Sequence, residues 1–286
     1  MRNREAAFMV TARQIKRYEA YLQEQERAGN TVRKYVHDLN AMLAFLDGRP
    51  LTKAALIAWK EQLVSSYSPS TVNSMLTAVN GFLAYIDRRE FAVRLLKAQK
   101  TLFRDEEREL TRGEYARLVQ TAKREGGEKL ALILQTICAT GIRVSELKFI
   151  TAEAVKTGRT EIVSKGKRRP LFLPEKLRRL LRDYQRRQKI TAGAVFVTRT
   201  GKPVDRSNIW RDMKALCQSA GVEPGKVFPH NLRHLFAKTY YDMEKDLSRL
   251  ADILGHSSVT TTRIYTAESG SVHARQMERM GLVLTT

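Results

Sequence analysis

The spacing of apolar residues over the first hundred positions constrains this chain to packed helices there. Val32, Tyr35, Leu39, Leu43 and Leu46 recur every three or four residues, as do Ile15, Tyr18 and Leu22 ahead of the Gly29-Asn30 pair. A period near 3.6 puts each series on one face of a helix. "DGRPLTKAALIAWKEQLV" opens a third such segment after Pro50, and "SPSTVNSMLTAVNGFLAYI" a fourth, with Val72, Leu76, Val79, Leu83 and Ile86 on one side. Four amphipathic helices are expected, with Gly29-Asn30 as the break between the first two. Tyr18, Tyr35, Phe45, Trp59, Phe82 and Tyr85 share the spacing and are expected in the core.

Periodicity lapses in "KAQKTLFRDEEREL", which reads as a linker, so the 286 residues divide into a helical domain at 1–98, a linker at 99–109 and a second domain at 110–286. In the second domain Thr111 and Glu114 have capping-box spacing, and "EKLALILQTICATG" is an apolar helix that stops at Gly141. "TEIVS" and "PLFLP" flank a short Lys-Gly-Lys turn and predict a β-hairpin. "AVFVTRTGKPVD" predicts another short β excursion before the helix "RSNIWRDMKALCQSAG". The expected fold class is mainly α with small β-sheet or hairpin elements.

Charge narrows the partners. Against 30 Asp and Glu stand 51 Lys and Arg, a net +21 that is far more than solubility requires and points to nucleic acid. The excess is shared: 16 basic against 9 acidic side chains in residues 1–100, and 35 against 21 beyond them. Both domains are therefore expected to touch the polyanion. Cys138 and Cys217 lack the spacing of a metal site or a disulfide framework. No apolar run approaches bilayer length and "MRNREAAFMVTARQ" has no signal core, so no membrane contact and a cytoplasmic location are expected.

Four short motifs follow one another in the second domain. They are "ATGIRVSEL" with Arg143 and Glu146, "SKGKRRP" with Lys165, "FPHNLRHLFA" with His230 and Arg233, and "LGHSSVTTTRIY" with His256 and Tyr265. Each alone is weak, since HxxR or GxR arises by chance. The ordered set Arg, Lys, HxxR, His, Tyr is specific, and in it the chain resembles the tyrosine recombinase (phage integrase) family, in layout its compact Xer-like recombinases and mobile-element integrases. The resemblance spans nearly the whole chain, because the N-terminal helices resemble that family's SAM-like core-binding domain. It implies a core-binding domain joined to a tyrosine recombinase catalytic domain. It also implies site-specific cleavage and rejoining of DNA through a 3′-phosphotyrosyl intermediate, with no metal or other cofactor.

The chemistry of the residue types agrees. Breaking a phosphodiester and remaking it elsewhere without ATP requires the bond energy to be stored, which a side-chain nucleophile does covalently. A phenol in water titrates near 10 and needs help to attack, while charge developing on the phosphate needs fixed cations. A guanidinium can grip two nonbridging oxygens, which suits Arg143 and Arg233. His230 precedes Arg233 by three residues, so on a helix beginning after Pro229 the two share a face.

The resemblance implies that Tyr265 is the nucleophile, that His230 assists removal of its proton, that His256 donates a hydrogen bond to the scissile phosphate, and that Glu146 supports the network. Taken alone, Glu146 also reads as a helical salt-bridge acid and His256 as a partner for a helix C-terminus. The leaving 5′ oxygen needs a proton, which a hairpin ammonium can supply. The chain departs here from the family's longer Gly-Lys-Gly-Asn-Lys type of turn. Lys165, directly before Gly166, is the expected general acid; Lys167 is the alternative, and otherwise a DNA-backbone contact. His234 is expected to be structural. Tyr240, Tyr241 and Trp210 are expected within helices, Trp210 in the core, and Tyr240 and Tyr241 lack the polar approach of Tyr265.

Strand exchange implies double-stranded DNA recombination sites as the partner, a homo-tetramer in the synaptic complex and a monomer free in solution. The chain begins with the core-binding-like helices, so no arm-binding domain is expected. The tail "TAESGSVHARQMERMGLVLTT" is a candidate helix with Val272, Met277, Met280 and Leu282 on its apolar face, docking on a neighbouring subunit or in cis. A type IB topoisomerase would use a similar residue set without site preference. A non-catalytic accessory DNA-binding protein would not need all five motif positions filled.

Overall fold

A computed structural model describes residues 8–97, 108–164, 166–256, 258–265, 275 and 277–280, and the chain divides into two units, Met1–Lys100 and Thr101–Thr286. In the first unit, α1 (Ala12–Glu24) starts from a capping box. Thr11 Oγ1 accepts from Gln14 N, and the Gln14 side chain accepts from Thr11 N. α2 (Gly29–Leu46) takes in the Gly29-Asn30 pair, which is therefore no break. Both residues lie in its first turn, where the N–H groups need no intrahelical partner and poor helix formers cost least. α3 (Lys53–Ser66) is capped by Thr52, and α4 (Pro69–Tyr85) by Ser68 with Pro69 in its first turn.

Leu39, Met42, Leu46, Leu56, Leu76 and Phe82 are fully buried between these helices. Tyr18 and Trp59 join them, whereas Tyr35 and Phe45 are half-buried. Tyr85 departs from the expected core position: at the last turn of α4 it is 38% exposed and packs on Tyr21, ring centroids 4.8 Å apart. Two asparagines about two turns apart on α4 hold the chain that follows. Asn80 donates to Val93 O at 2.9 Å and accepts from Val93 N at 3.1 Å, and Asn73 pairs the same way with Leu96 at 3.0 and 2.7 Å. Each amide substitutes for a strand neighbour and satisfies an extended backbone.

In the second unit, α5 (Arg112–Thr121) has the Thr111–Glu114 capping box that its sequence spells. α6 (Glu128–Thr140) buries Leu132, Ile133, Leu134 and Ile137 in the main core. It ends at Gly141, where a left-handed φ of 66° favours glycine and a Cβ would lie 2.4 Å from Phe236 Cδ1. A 3₁₀ turn, Val144–Phe149, and α7 (Ala152–Thr157) lead into the antiparallel hairpin β1 (Arg159–Ser164) and β2 (Lys167–Phe172). Ser164 pairs with Lys167, which opens β2, and Gly166 just before that strand is at φ 73°.

α8 (Glu175–Gln188), α9 (Arg206–Ala215) and α10 (Cys217–Ala220) follow. The expected β excursion before α9 is only an isolated bridge, Val197 to Pro203, because proline has no N–H to extend a ladder. Trp210 on α9 is 48% exposed, not core. α11 (Pro229–Glu244) packs on α6, and α12 (Leu247–Leu254), α13 (Val259–Thr262) and a 3₁₀ turn, Arg263–Tyr265, complete the motif-bearing segment.

The fold is thus mainly helical, with one two-stranded sheet among the described residues. No helix among them is long and apolar enough to cross a membrane. In the tail, Met277 and Met280 are exposed, while Val272 and Leu282 lie outside the described residues.

Candidate active site

Two helices end in the same way at the centre of the second unit. α6 stops at Gly141 and delivers Arg143 two residues on; α12 stops at Gly255, φ 65°, and delivers His256 next. Both ends leave backbone carbonyls without intrahelical donors. Arg233 of α11 satisfies one at each end: Nη1 donates to Gly141 O at 2.5 Å and Nη2 to Leu254 O at 2.7 Å. A cation between two helix C-termini is also favoured by both dipoles. Arg233 is only 1% exposed, and its Nε has no hydrogen-bond partner among the described residues. Burial and then Arg143 work against its charge; Tyr265 and Glu146 work for it.

Arg143 is 42% exposed at the mouth of this arrangement. Glu146, 4% exposed at its side chain, accepts from Arg143 N at 2.8 Å and from Arg143 Nη1 at 3.0 Å, which fixes where the guanidinium points. Its other partner is a residue that the sequence reading passes over. Arg169 of β2 donates to Glu146 Oε2 at 2.6 Å and to Ile253 O at 2.8 Å. The signal was present: Arg169 and Leu171 alternate on one face of β2, and an arginine facing inward needs an acid. Gly255 leaves room for it, because a Cβ there would lie 2.6 Å from Arg169 Cδ and Nε. Arg169 thereby ties the hairpin both to the acid that orients Arg143 and to the end of α12.

His256 Nε2 lies 3.0 Å from Arg233 Nη2, and His256 Nδ1 2.8 Å from Thr262 Oγ1. Tyr265 stands beside it with ring centroids 5.8 Å apart and faces Arg233. In contrast to the polar company its sequence suggests, Tyr265 is 2% exposed, in an apolar cluster with Ala237, Leu250 and Leu254 lined by Phe236, Tyr240 and Tyr241. The helix period accounts for this: α11 and α12 turn these side chains toward the 3₁₀ turn that carries Tyr265. His234, read as structural, packs edge-on against the Tyr265 ring at 4.6 Å, and His230 lies one turn earlier on α11.

Arg143, Glu146, Arg233, His256 and Tyr265 are thus brought together, with His230 beside them. Lys165 lies outside the described residues. Lys167 lines a cleft of 690 Å³ with Arg143, Arg168, Arg169 and His256, a strongly cationic wall. Among the described residues no group of three His, Cys, Asp or Glu side chains is placed to hold a metal ion.

Burial and then the charges of Arg233 and Arg143 push His256 down to about 4. Partial burial of the ring, then Arg233, Arg143 and Arg206, hold His230 below its ordinary value, although the residue as a whole is exposed. Both shifts favour the neutral imidazole at pH 7. For His256 the folded value is the depressed one, so the stability linked to it is complete above 6.5 and is lost as pH falls toward 4, where only the unfolded chain takes up the proton. The thermal midpoint of the DNA-free protein is expected to fall across this window, and less steeply in His256→Gln; equal slopes in the two proteins would count against the depressed value.

The comparisons with known proteins give the family and the fold. Residues 108–271 match the model of the phage integrase family, and residues 15–90 that of the phage integrase N-terminal SAM-like domain. The chain is 27% identical over 279 residues to tyrosine recombinase XerA of Pyrococcus furiosus, covering 94% of each chain. A lambda integrase dimer bound to a COC′ core site shares the fold at TM-score 0.74 and 17% identity, covering 92% of this chain and 97% of that one. A lambda integrase tetramer bound to a Holliday junction does so at TM-score 0.72 and 17% identity, covering 88% and 76%. With its second unit matched over residues 108–271 and its first over 15–90, the chain belongs to the phage integrase family.

Proposed function

We propose that the protein is a site-specific DNA recombinase in which Tyr265 Oη attacks the scissile phosphorus. The bond to the 5′ oxygen breaks, a 3′-phosphotyrosyl link forms, and the freed 5′ hydroxyl of one strand later attacks the link on its partner. Arg143 and Arg233 hold the nonbridging oxygens. His230, as a neutral imidazole, accepts the phenolic proton; Lys165 returns one to the leaving 5′ oxygen, and His256 donates to the phosphate. Glu146 and Arg169 orient Arg143. The observation that carries this reading is the convergence of Arg233, His256 and Tyr265 beside an exposed, acid-oriented Arg143. Fixed cations around one phenol suit an in-line displacement at a phosphodiester.

The partner is double-stranded DNA. The first unit acts as the core-binding domain and the second, from about residue 110, as the catalytic domain, each with a surplus of cations for the phosphate backbone. Four protomers assemble on two recombination sites, in line with the tetramer seen for lambda integrase, and the free protein is a monomer. Cys138 and Cys217 are both free thiols, which suits the reducing cytoplasm.

The test is to incubate the protein with nicked fragments of the genome that encodes it, so that cleavage loses the short strand and traps the adduct. The expected result is a denaturant-resistant complex whose DNA-bearing peptide contains Tyr265 and whose DNA shares an inverted repeat. An adduct on another residue, or none, overturns the mechanism. Relaxation of supercoiled DNA without site preference assigns the same chemistry to a topoisomerase instead.

A further inference from the structure

We infer that Thr262 is the positioning residue for His256, holding the ring in one tautomer in the DNA-free protein and supporting the opposite tautomer once a phosphate is bound. The inference rests on the recombinase reading above and adds to it a residue that carries no motif signal of its own.

A guanidinium has only donors, so the 3.0 Å contact between Arg233 Nη2 and His256 Nε2 requires Nε2 to accept. A neutral imidazole with a bare Nε2 carries its proton on Nδ1, and Nδ1 faces Thr262 Oγ1 at 2.8 Å. The DNA-free protein therefore presents a His256 that donates to Thr262 and only accepts on the side of the site. A nonbridging phosphate oxygen also only accepts. His256 can donate to it only with a proton on Nε2, and in a neutral ring Nδ1 is then bare.

A hydroxyl suits both states. Thr262 Oγ accepts from Nδ1–H before the phosphate arrives and, after rotation about its C–O bond, donates to the bare Nδ1 afterwards. The proton balance is closed: one proton leaves Nδ1 for water and one reaches Nε2 from water, as the phosphate takes over the Arg233 N–H that Nε2 had accepted. Thr262 is fully buried, so no solvent molecule replaces it without a rearrangement. A second, cationic route is opposed in the DNA-free protein by what faces the ring: Arg233 from α11, Arg143 just before the 3₁₀ turn and Arg169 from β2 all resist a doubly protonated His256, and His230 of α11 adds to them only when it is itself protonated. Tautomer exchange is the route left. Thr262 also stands three residues before Tyr265, at the end of α13, so the same bond joins the phosphate-facing histidine to the segment that carries the nucleophile.

Ring ¹⁵N NMR of the full DNA-free chain, with His256 assigned by its loss in His256→Gln, tests the tautomer without any need for activity. The expected spectrum has a protonated Nδ1 and a bare Nε2, kept in Thr262→Ser and turned to a mixture in Thr262→Val. On a nicked DNA site the Val variant is expected to cleave roughly ten- to hundredfold more slowly in a single turnover, and the Ser variant within about threefold of native. An Nε2–H tautomer in the native protein, a Val variant at the native rate, or a Ser variant as slow as Val overturns the inference. If Thr262→Val does not fold, the native and Ser spectra decide alone. A native protein that shows the expected tautomer and yet forms no adduct sinks the recombinase reading separately.

Discussion

Tyr265→Phe is expected to abolish the covalent protein–DNA adduct, a loss of at least about 10⁴-fold in cleavage, because in the proposed mechanism the phosphoryl link forms on Tyr265 Oη. The fold should hardly notice. The ring of Tyr265 is held by Leu250, Leu254 and Ala237 and by the flanking aromatics, and phenylalanine keeps all of that packing. What is lost is the hydroxyl facing Arg233, a cost of about 1 kcal/mol on the scale of a single hydrogen bond. The measurement is a denaturing gel of nicked-site reactions beside a melting curve and a DNA-binding titration. An adduct that survives in the Phe variant transfers the nucleophile to another residue, with Tyr240 and Tyr241 the nearest phenols to examine. A large fall in melting point would mean that the hydroxyl is part of the scaffold.

Arg233 has the opposite profile, since its removal should damage fold and chemistry together. In Arg233→Ala the carbonyls of Gly141 and Leu254 lose their donor inside the protein, at about 1–3 kcal/mol each, and the ends of α6 and α12 lose the charge between them. Cleavage should fall by on the order of 10²–10³ or more with the loss of a preorganised cation at the phosphate. Arg233→Lys separates the two effects: an ammonium keeps the charge and can reach one carbonyl but cannot span both, so it should recover part of the stability and little of the cleavage. Calorimetric melting and single-turnover rates for the pair check this. A native melting point for the Ala variant would show that the two helix ends do not depend on the guanidinium.

The helices were legible in the sequence because amphipathic period, capping boxes and terminal glycines are local signals, and Thr11, Thr111, Gly141 and Gly255 mark element ends that the fold keeps. The candidate active-site motifs were legible for a related reason: in "ATGIR" and "LGH" the candidate residue comes one or two positions after a helix-ending glycine. What the sequence did not disclose were contacts set by tertiary packing. Gly29-Asn30 looked like a break because poor helix formers are tolerated in a first turn. Tyr265 stands among polar sequence neighbours, while the residues that bury it come from α11 and α12. Arg169 was hidden in a run of basic residues, and its strand alternation became informative only once Glu146 stood opposite it. Thr262 is one of three consecutive threonines, and only the fold distinguishes it from the other two.

The way Arg233 spans the two helix ends also bears on how such a protein is made safely. Its anchors lie at Gly141 and Leu254, far apart in the order of synthesis, and Tyr265 comes later still. A chain emerging from the ribosome thus has Arg143 and Arg233 before it has the second carbonyl that seats Arg233, and before it has His256 or Tyr265. If Tyr265 is the nucleophile, as proposed, a prematurely terminated chain can hold DNA by charge and lacks the group that cuts it, so the order of residues along the chain keeps half-made molecules from breaking DNA.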